Sequence, residues 1–367
     1  MKNKNIIFFM PFIGGGGVEK NLYIIANYFS KKIKNLKICT VSKKSKKKFN
    51  KNIKFLTPKK EFPEKLNIRI KYFICLYLLF KYLLKNKNTV VFSFQANIYC
   101  VLLCKMLNVK VIIRSNSSPI GWYHNAFKKF IYKKIISKAD AVIVNSIAFK
   151  KQMIKRFNIK VNCIYNPLNT QEILNKSNKA KPESFFKNKK KFLKIINLGR
   201  FTEQKDQITI LKAANLLKYK INFKLLIMGR GIEEKKLRDF IKKNKLNDNI
   251  KIKNFVDNPY GAIKQSDIFV LSSKYEGLPN VLLEALTLNK FVISTNCPTG
   301  PNEILCNGKG GMLFNVGDYK NLSKKIIYYS KNKKKAKKML NYSKERLNRF
   351  DYKLNLNKYY NLIKSIL

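Results

Sequence analysis

Histidine is almost absent: His124 is the only one in 367 residues. The seven cysteines show no paired spacing. Together these scarcities exclude a zinc or other soft-metal site and predict reduced thiols in a cytosolic setting. Cys100 and Cys104 sit at helical spacing, which suits core packing. Carboxylates are also scarce, with 20 Asp and Glu against 77 Lys and Arg, a formal charge of +57. Such a balance favours anionic partners: nucleic acid, acidic lipid or phosphorylated substrates. The lysines are spread along the chain and are densest at 43–60, 187–194 and 331–338. Most read as solvated faces or loops, and a minority as membrane contacts. Long apolar runs are missing too. The longest, residues 72–80, continues to Leu84 only past Lys81, well short of the ~20 apolar residues a spanning helix needs. It reads as a buried helix, with membrane-surface contact as the second reading. Residues 6–12 are apolar but too few for the core of a secretory signal.

What the chain does contain is alternation. The length suits two domains, and an apolar fraction of 46% is ordinary for a globular protein. Short apolar runs at 4–12, 36–41, 90–94, 109–113, 141–144 and 163–165 read as strands, with helical periodicity between several of them. Residues 170–191 are polar and basic and read as a linker. The pattern then restarts with strands at 192–198, 223–228, 250–255, 268–271 and 291–294. Alternation at this pace predicts α/β architecture, two parallel sheets each covered by helices on both faces.

After the first strand come Gly14, Gly15, Gly16 and Gly17, then helical periodicity from Val18 to Tyr28. Bare backbone and a helix N-terminus make a phosphate cradle. A dinucleotide site would need an acidic residue ending the second strand. That strand runs instead into Ser42, Lys43 and Lys44, which argues against NAD.

Residues 272–288, SSKYEGLPNVLLEALTL, carry the strongest local signal. They follow a buried strand, so Glu276 falls on the loop at a strand's carboxyl end. Pro279 suits the first turn of a helix, and Glu284 lies about a turn inside it. The helix N-terminus between the two carboxylates faces an anion. Two hydroxyl-seeking carboxylates flanking an anion site suit a sugar or ribose joined to phosphate. The plainer alternative has Glu276 balancing the helix dipole and Glu284 as a solvated surface charge.

Residues 276–285, EGLPNVLLEA, resemble the E-x7-E motif of the family 4 glycosyltransferases. Further landmarks occur in order. Gly199-Arg200-Phe201-Thr202-Glu203-Gln204-Lys205-Asp206 resembles the family's G-R-x4-K-[GD] loop. Asn254-Phe255-Val256 resembles the segment whose backbone meets the base. Asn296 to Glu303 resembles D-x3-G-x2-E, with Asn296 where Asp is common, and 308–314 resembles a late G-x-L hairpin. Tyr165-Asn166-Pro167 resembles the exit of the amino-terminal domain. The resemblance covers nearly the whole chain and is best in its second half.

The resemblance implies the GT-B fold: two Rossmann-like parallel-sheet domains facing each other across a cleft. The expected domains are 1–170 on the acceptor side, a linker at 171–191, a nucleotide-sugar domain at 192–345, and a terminal helix at 346–367 crossing back to the first. It implies retaining transfer of a sugar from a nucleotide diphosphate, UDP by family frequency, without a metal or other cofactor. Glu276 would hold sugar hydroxyls and Glu284 the ribose. Arg200 and Lys205 would offset the charge of the leaving diphosphate, the alternative being two ordinary surface cations. Gly15, Gly16, Gly199, Val256, Gly277, Leu278, Pro279 and Asn280 would complete the donor site. Many members carry a His at a strand end of the first domain. Here Arg114, Ser115 and Asn116 stand there, which gives Asn116 or Arg114 part of that role. His124, beside Trp122 and Tyr123, either reaches the cleft from a loop or is simply packed among aromatics. The implied acceptor is a lipid-linked saccharide at the inner face of the plasma membrane, with peripheral contact to anionic lipid. Two rivals remain: a nucleotide-sugar epimerase of the same fold, and a charge-driven nucleic-acid-binding protein. The aromatics fall mostly in apolar runs and not in basic patches, so nucleic acid is not the expected partner.

Overall fold

The computed structural model describes residues 5–59, 62–63, 66–116, 125–187 and 191–367. The sequence readings that fall on Ser117, Ser118, Pro119, Trp122, Tyr123 and His124 lie outside them. The chain divides into two compact units. The first is Met1–Pro167 with Lys353–Leu367, and the second is Leu168–Tyr352.

Among its described residues the first unit holds seven strands: β1 (Asn5–Phe9), β2 (Leu36–Cys39), β3 (Lys54–Leu56), β4 (Thr89–Ser93), β5 (Lys110–Arg114), β6 (Ala141–Val144) and β7 (Asn162–Cys163). They form one parallel sheet in the order β3-β2-β1-β4-β5-β6-β7. The central strands are almost wholly apolar because helices cover both faces. Its helices are α1 (Gly17–Phe29), α2 (Ile68–Lys85), α3 (Asn97–Met106), α4 (Ala126–Ile136) and α5 (Ile147–Phe157). Helices α2 to α5 share one core with a single sheet face, through Leu79, Cys104, Tyr132 and Met153 against Ile7, Val91 and Val144.

Helix α2 corrects one expectation. The apolar run is not a buried helix. Within it only Lys71, Cys75, Leu79 and Leu83 are buried, while Phe73, Tyr77, Phe80 and Leu84 are exposed. A helix lying on one sheet face buries one stripe only, whatever the composition of the rest.

The second unit repeats the plan with β8 (Leu193–Leu198), β9 (Phe223–Met228), β10 (Ile250–Lys253), β11 (Ile268–Leu271), β12 (Phe291–Thr295) and β13 (Met312–Phe314). Its parallel order is β10-β9-β8-β11-β12-β13. Its helices are α6 (Thr170–Asn178), α7 (Gln207–Leu217), α8 (Glu234–Lys243), α9 (Tyr260–Gln265), α10 (Asn280–Thr287), α11 (Pro301–Ile304), α12 (Tyr319–Lys331) and α13 (Lys333–Glu345). The stretch read as a linker therefore carries a helix, α6, which packs beside α9. Asn169 caps it: Glu172 N donates to Asn169 Oδ1, and Asn169 Nδ2 donates back to Glu172 Oε2, each at 3.1 Å. Buried Ile173 anchors it.

The last helix, α14 (Tyr352–Ile366), belongs to the first unit. Its Tyr359 hydroxyl accepts from Arg114 Nε at 2.9 Å. Among the described residues no helix is long and apolar enough to cross a membrane.

Candidate active site

In the second unit the chain order reverses between β8 and β11, which leave opposite ways from the middle of the sheet. Such a switch point opens a crevice at the strands' carboxyl ends. Here the crevice begins early. β8 and β11 pair only at Ile195↔Ile268 and Ile196↔Phe269. Beyond that the buried Asn197 side chain spans the gap, its Nδ2 donating to Val270 O at 2.8 Å.

Two loops meet over this gap. The loop after β8 carries Gly199, Arg200 and Lys205, and the loop after β11 carries Ser272 to Pro279. Lys205 Nζ lies 2.5 Å from Glu276 Oε1, and Ser273 Oγ donates to the same oxygen at 2.6 Å. Ser272 Oγ donates to Lys205 O at 2.8 Å, and Lys274 N to Gln204 O at 2.8 Å. Thr299 Oγ1 donates to Glu276 O. Glu276 is 7% exposed, so its charge is worth far more opposite Lys205 than it would be in open water. It neither caps the helix nor stands alone.

Arg200 remains exposed, and its carbonyl accepts from Gln207 Nε2 at 3.1 Å. Asp206 closes the loop with a left-handed backbone, φ 47°. That conformation explains why Gly or Asp suits the last position of this motif. Burial raises the Asp206 carboxyl above its ordinary range, against the pull of the Thr209 hydroxyl and Lys274.

Helix α10 begins at Asn280, so Pro279 stands just before it, at φ −73° and ψ 105°, and not in its first turn. Glu284 is 5% exposed. The reading of it as a solvated surface charge fails. Gly277 and Leu278 are buried as well. A Cβ on Gly300 would come within 2.5 Å of Gly277 O, so the 296–303 loop lies directly against the E-x7-E loop. Cys297, buried there, has its thiol pushed up to about 12, by burial first and the Glu276 charge second. It stays protonated and is no nucleophile. Val256 is exposed past the end of β10, beside Phe255, whose ring lies 5.9 Å from the Arg230 guanidinium.

The structure therefore gathers Gly199, Arg200, Lys205, Glu276, Gly277, Leu278, Pro279, Asn280 and Glu284 at one end of the second unit. It adds Asn197, Ser273 and Thr299, which sequence reasoning missed. Ser273 had a signal, because it follows a buried strand directly. Thr299 had only the resemblance of its loop, since its bond joins segments that are distant in the chain.

In the first unit the glycine loop lies at the carboxyl end of β1. Gly16 precedes α1 with an extended backbone, φ 170°. A Cβ there would sit 3.0 Å from Glu19 Oε2. The first turn of α1 thus carries its own carboxylate, which an incoming phosphate would have to displace. Asn116 Nδ2 donates to Phe94 O at 3.0 Å and to Arg114 O at 3.3 Å. Arg114 is fully buried, with its second donor reaching Asn166 Oδ1 at 2.6 Å. It ties β5 to α14 and the strand ends, so it is not a cation presented to a substrate.

Two doubly wound parallel sheets of matching order, one with an ion pair and carboxylates at its switch point, define the class as the GT-B fold. The chain superposes on Anabaena Alr3699/HepE, solved in complex with UDP-glucose, with a TM-score of 0.81 at 15% identity, covering 98% of this chain and 99% of that one. The family follows from sequence comparison. Residues 15–172 match the model for Glycosyltransferase Family 4, and residues 178–346 match that for Glycosyl transferases group 1. The chain belongs to glycosyltransferase family 4. It is 35% identical over 217 residues to an uncharacterized glycosyltransferase, MJ1059, of Methanocaldococcus jannaschii, spanning 55% of this chain and only 53% of that relative. It is 27% identical over 263 residues to the N-acetylgalactosamine-N,N'-diacetylbacillosaminyl-diphospho-undecaprenol 4-alpha-N-acetylgalactosaminyltransferase of Campylobacter jejuni, covering 69% and 70% of the two chains.

Proposed function

We propose that the protein is a retaining glycosyltransferase that moves a sugar from a UDP-sugar to a hydroxyl of a growing, lipid-linked surface glycan. The observation that carries the proposal is the Lys205–Glu276 pair at the switch point, with Glu284 buried a turn into α10 and Arg200 exposed on the facing loop. A nucleoside diphosphate needs cations at the leaving phosphates and acceptors at its hydroxyls, and this end of the unit supplies both. As the glycosidic C–O bond breaks, charge gathers on the diphosphate, and Lys205 and Arg200 offset it. Lys205 then exchanges part of its contact with Glu276 for phosphate, which leaves Glu276 oriented by Ser273 toward sugar hydroxyls. Glu284 takes the ribose. The glycine loop at Gly15 and Gly16 leaves bare backbone for a phosphate oxygen, and Asn116 serves the acceptor side. The leaving phosphate accepts the proton of the attacking hydroxyl, so no protein nucleophile is required. The reaction proceeds without a metal ion.

The lipid-linked acceptor is supported by the Campylobacter relative, whose name specifies an undecaprenol-diphosphate-linked saccharide, and the UDP donor by the UDP-glucose complex of HepE. The test is a thermal-shift screen against UDP, GDP, ADP and their sugars, with and without EDTA, followed by a transfer assay that reports the anomer of the product. UDP stabilises by RT ln(1 + [L]/Kd), about 2.7 kcal/mol at a hundredfold excess over Kd. That shift disappears in Glu284→Ala. No shift with any nucleotide, or release of an epimerised nucleotide sugar in place of a glycoside, overturns the reading.

A further inference from the structure

The first unit is far poorer in carboxylates than the second. Of the 20 in the chain, Glu19, Glu61, Glu64 and Asp140 alone belong to it. One face of that unit carries none at all on its helices. Helix α2 packs beside α3, and α3 beside α4. Across Ile68–Lys85, Asn97–Met106 and Ala126–Ile136 there is no Asp or Glu. Asp140, which follows α4, is bonded to Lys105 of α3 at 2.7 Å.

The same helices expose large apolar side chains. On α2, Ile70, Phe73, Tyr77, Phe80 and Leu84 recur every three or four residues and form one outward stripe, with Phe73 73% exposed. On α3, Tyr99, Leu102 and Met106 repeat the spacing, with Met106 83% exposed. On α4, Phe127, Phe130 and Ile131 are exposed among Lys128, Lys129, Lys133 and Lys134. Lysine and aromatic alternate closely: Lys81 Nζ lies 4.7 Å from the Tyr77 ring, and Lys134 Nζ 4.7 Å from that of Phe130. Singly exposed apolar residues are ordinary. Three adjacent helices that each expose several are not.

We infer that the α2–α3–α4 face docks on an anionic lipid bilayer, its aromatic and aliphatic side chains entering the interface and its lysines meeting the headgroups. The occupant follows from charge. A second copy would bring the same acid-free helices, or another part of a chain carrying +57, against a basic face. A nucleic acid would meet the lysines but leave the aliphatic stripe in water. Anionic lipid satisfies both, because apolar side chains enter the acyl boundary while lysine stems run alongside and carry their charges to the phosphates. The face rests on its own residues. Only its use, bringing the enzyme to a membrane-borne acceptor, rests on the function proposed above.

The test is flotation of the full chain with vesicles of phosphatidylcholine alone and of phosphatidylcholine mixed with phosphatidylglycerol, beside a UDP thermal shift on each preparation. Wild type floats with anionic vesicles, less so in high salt and poorly with neutral ones. The double variant Phe73→Ser/Tyr77→Ser and the variant Lys128→Gln/Lys129→Gln/Lys133→Gln/Lys134→Gln each bind anionic vesicles at least tenfold more weakly. Tyr219→Ser, which alters an aromatic 87% exposed on the second unit, binds as wild type does. All four retain the UDP shift. Wild type that shifts with UDP but never floats overturns the docking face and leaves the function standing. Flotation without any nucleotide shift does the reverse. Flotation undiminished in both variants, or a wild-type dimer that the same substitutions dissolve, also overturns the docking face.

Discussion

The two units share a strand order and differ in what they place around it. In the second, carboxylates are opposed by cations and held: Lys205 meets Glu276, Lys253 meets Glu183, and Asn197 spans the opening between β8 and β11. In the first, the corresponding end carries a glycine loop beside Glu19, and an entire helical face is basic and apolar with no carboxylate. One scaffold thus yields two surfaces. A recognition site needs opposite charges fixed against each other before the ligand arrives. A docking face needs one sign of charge and apolar reach, with no fixed geometry at all. The sheet supplies position, and the loops and outer helix stripes supply the chemistry.

The comparison breaks most sharply at glycine. A Cβ on Gly229 would lie 1.9 Å from Gly199 O, a backbone atom that cannot step aside. Gly229→Ala therefore costs on the order of 4 kcal/mol and abolishes cooperative unfolding of the second unit. Gly16→Ala meets only the mobile end of Glu19 at 3.0 Å and costs about 1 kcal/mol or less. Parallel calorimetry on the two variants checks both. If Gly16→Ala also loses UDP affinity at unchanged stability, a close phosphate approach in the first unit follows.

Glu276→Gln comes next. It leaves the Lys205 charge in a largely buried position without its partner, and it lowers stability on the order of 3 kcal/mol. It also lowers kcat on the order of 100-fold, as expected for groups that act on developing charge. The double variant Glu276→Gln/Lys205→Met recovers much of the stability and none of the activity. Urea titrations and initial rates on all three proteins separate the two effects. Arg200→Ala, at an exposed cation, leaves stability within about 0.5 kcal/mol while lowering kcat/KM, since its work is confined to the bound state.

The smallest expected effect is a pH dependence. Burial pushes the Glu183 carboxyl up, but hydrogen bonds from Lys253 and Phe185 N outweigh it and hold the group below its usual value. A depressed carboxyl adds stability above its ordinary pKa of about 4.3 and loses it as pH falls through the lower folded value. Glu183→Gln should therefore lower the melting temperature at pH 7 by a degree or two, order of magnitude. The gap to wild type closes below about pH 4. A gap that persists in acid assigns the effect to packing and not to charge.

The alternation of short apolar runs and helical periods was enough to read both sheets, because buried parallel strands must be apolar throughout. Elements of few residues escaped: β3 has three and α9 has six, too few to show any period. Helix α6 hid in a polar stretch, although Asn169 and Glu172 spell a capping box and Ile173 supplies an anchor. Of the site, Arg200, Lys205, Glu276 and Glu284 stood out by spacing against a strand and a helix start. Arg114 misled, since a cation at a strand end reads the same whether it faces a substrate or a tyrosine hydroxyl.

The sequence by itself determined the α/β class, the division into two similar halves and the positions of the motif loops. Each of these follows from local period and local turn chemistry. Tertiary structure alone decided that Lys205 pairs with Glu276, 71 residues away, that Glu284 is buried, and that one apolar stripe of α2 faces outward. Those outcomes depend on which surfaces the sheet has left to cover. An apolar residue records its own preference for leaving water, but whether protein remains to receive it is settled only when the neighbouring elements are in place.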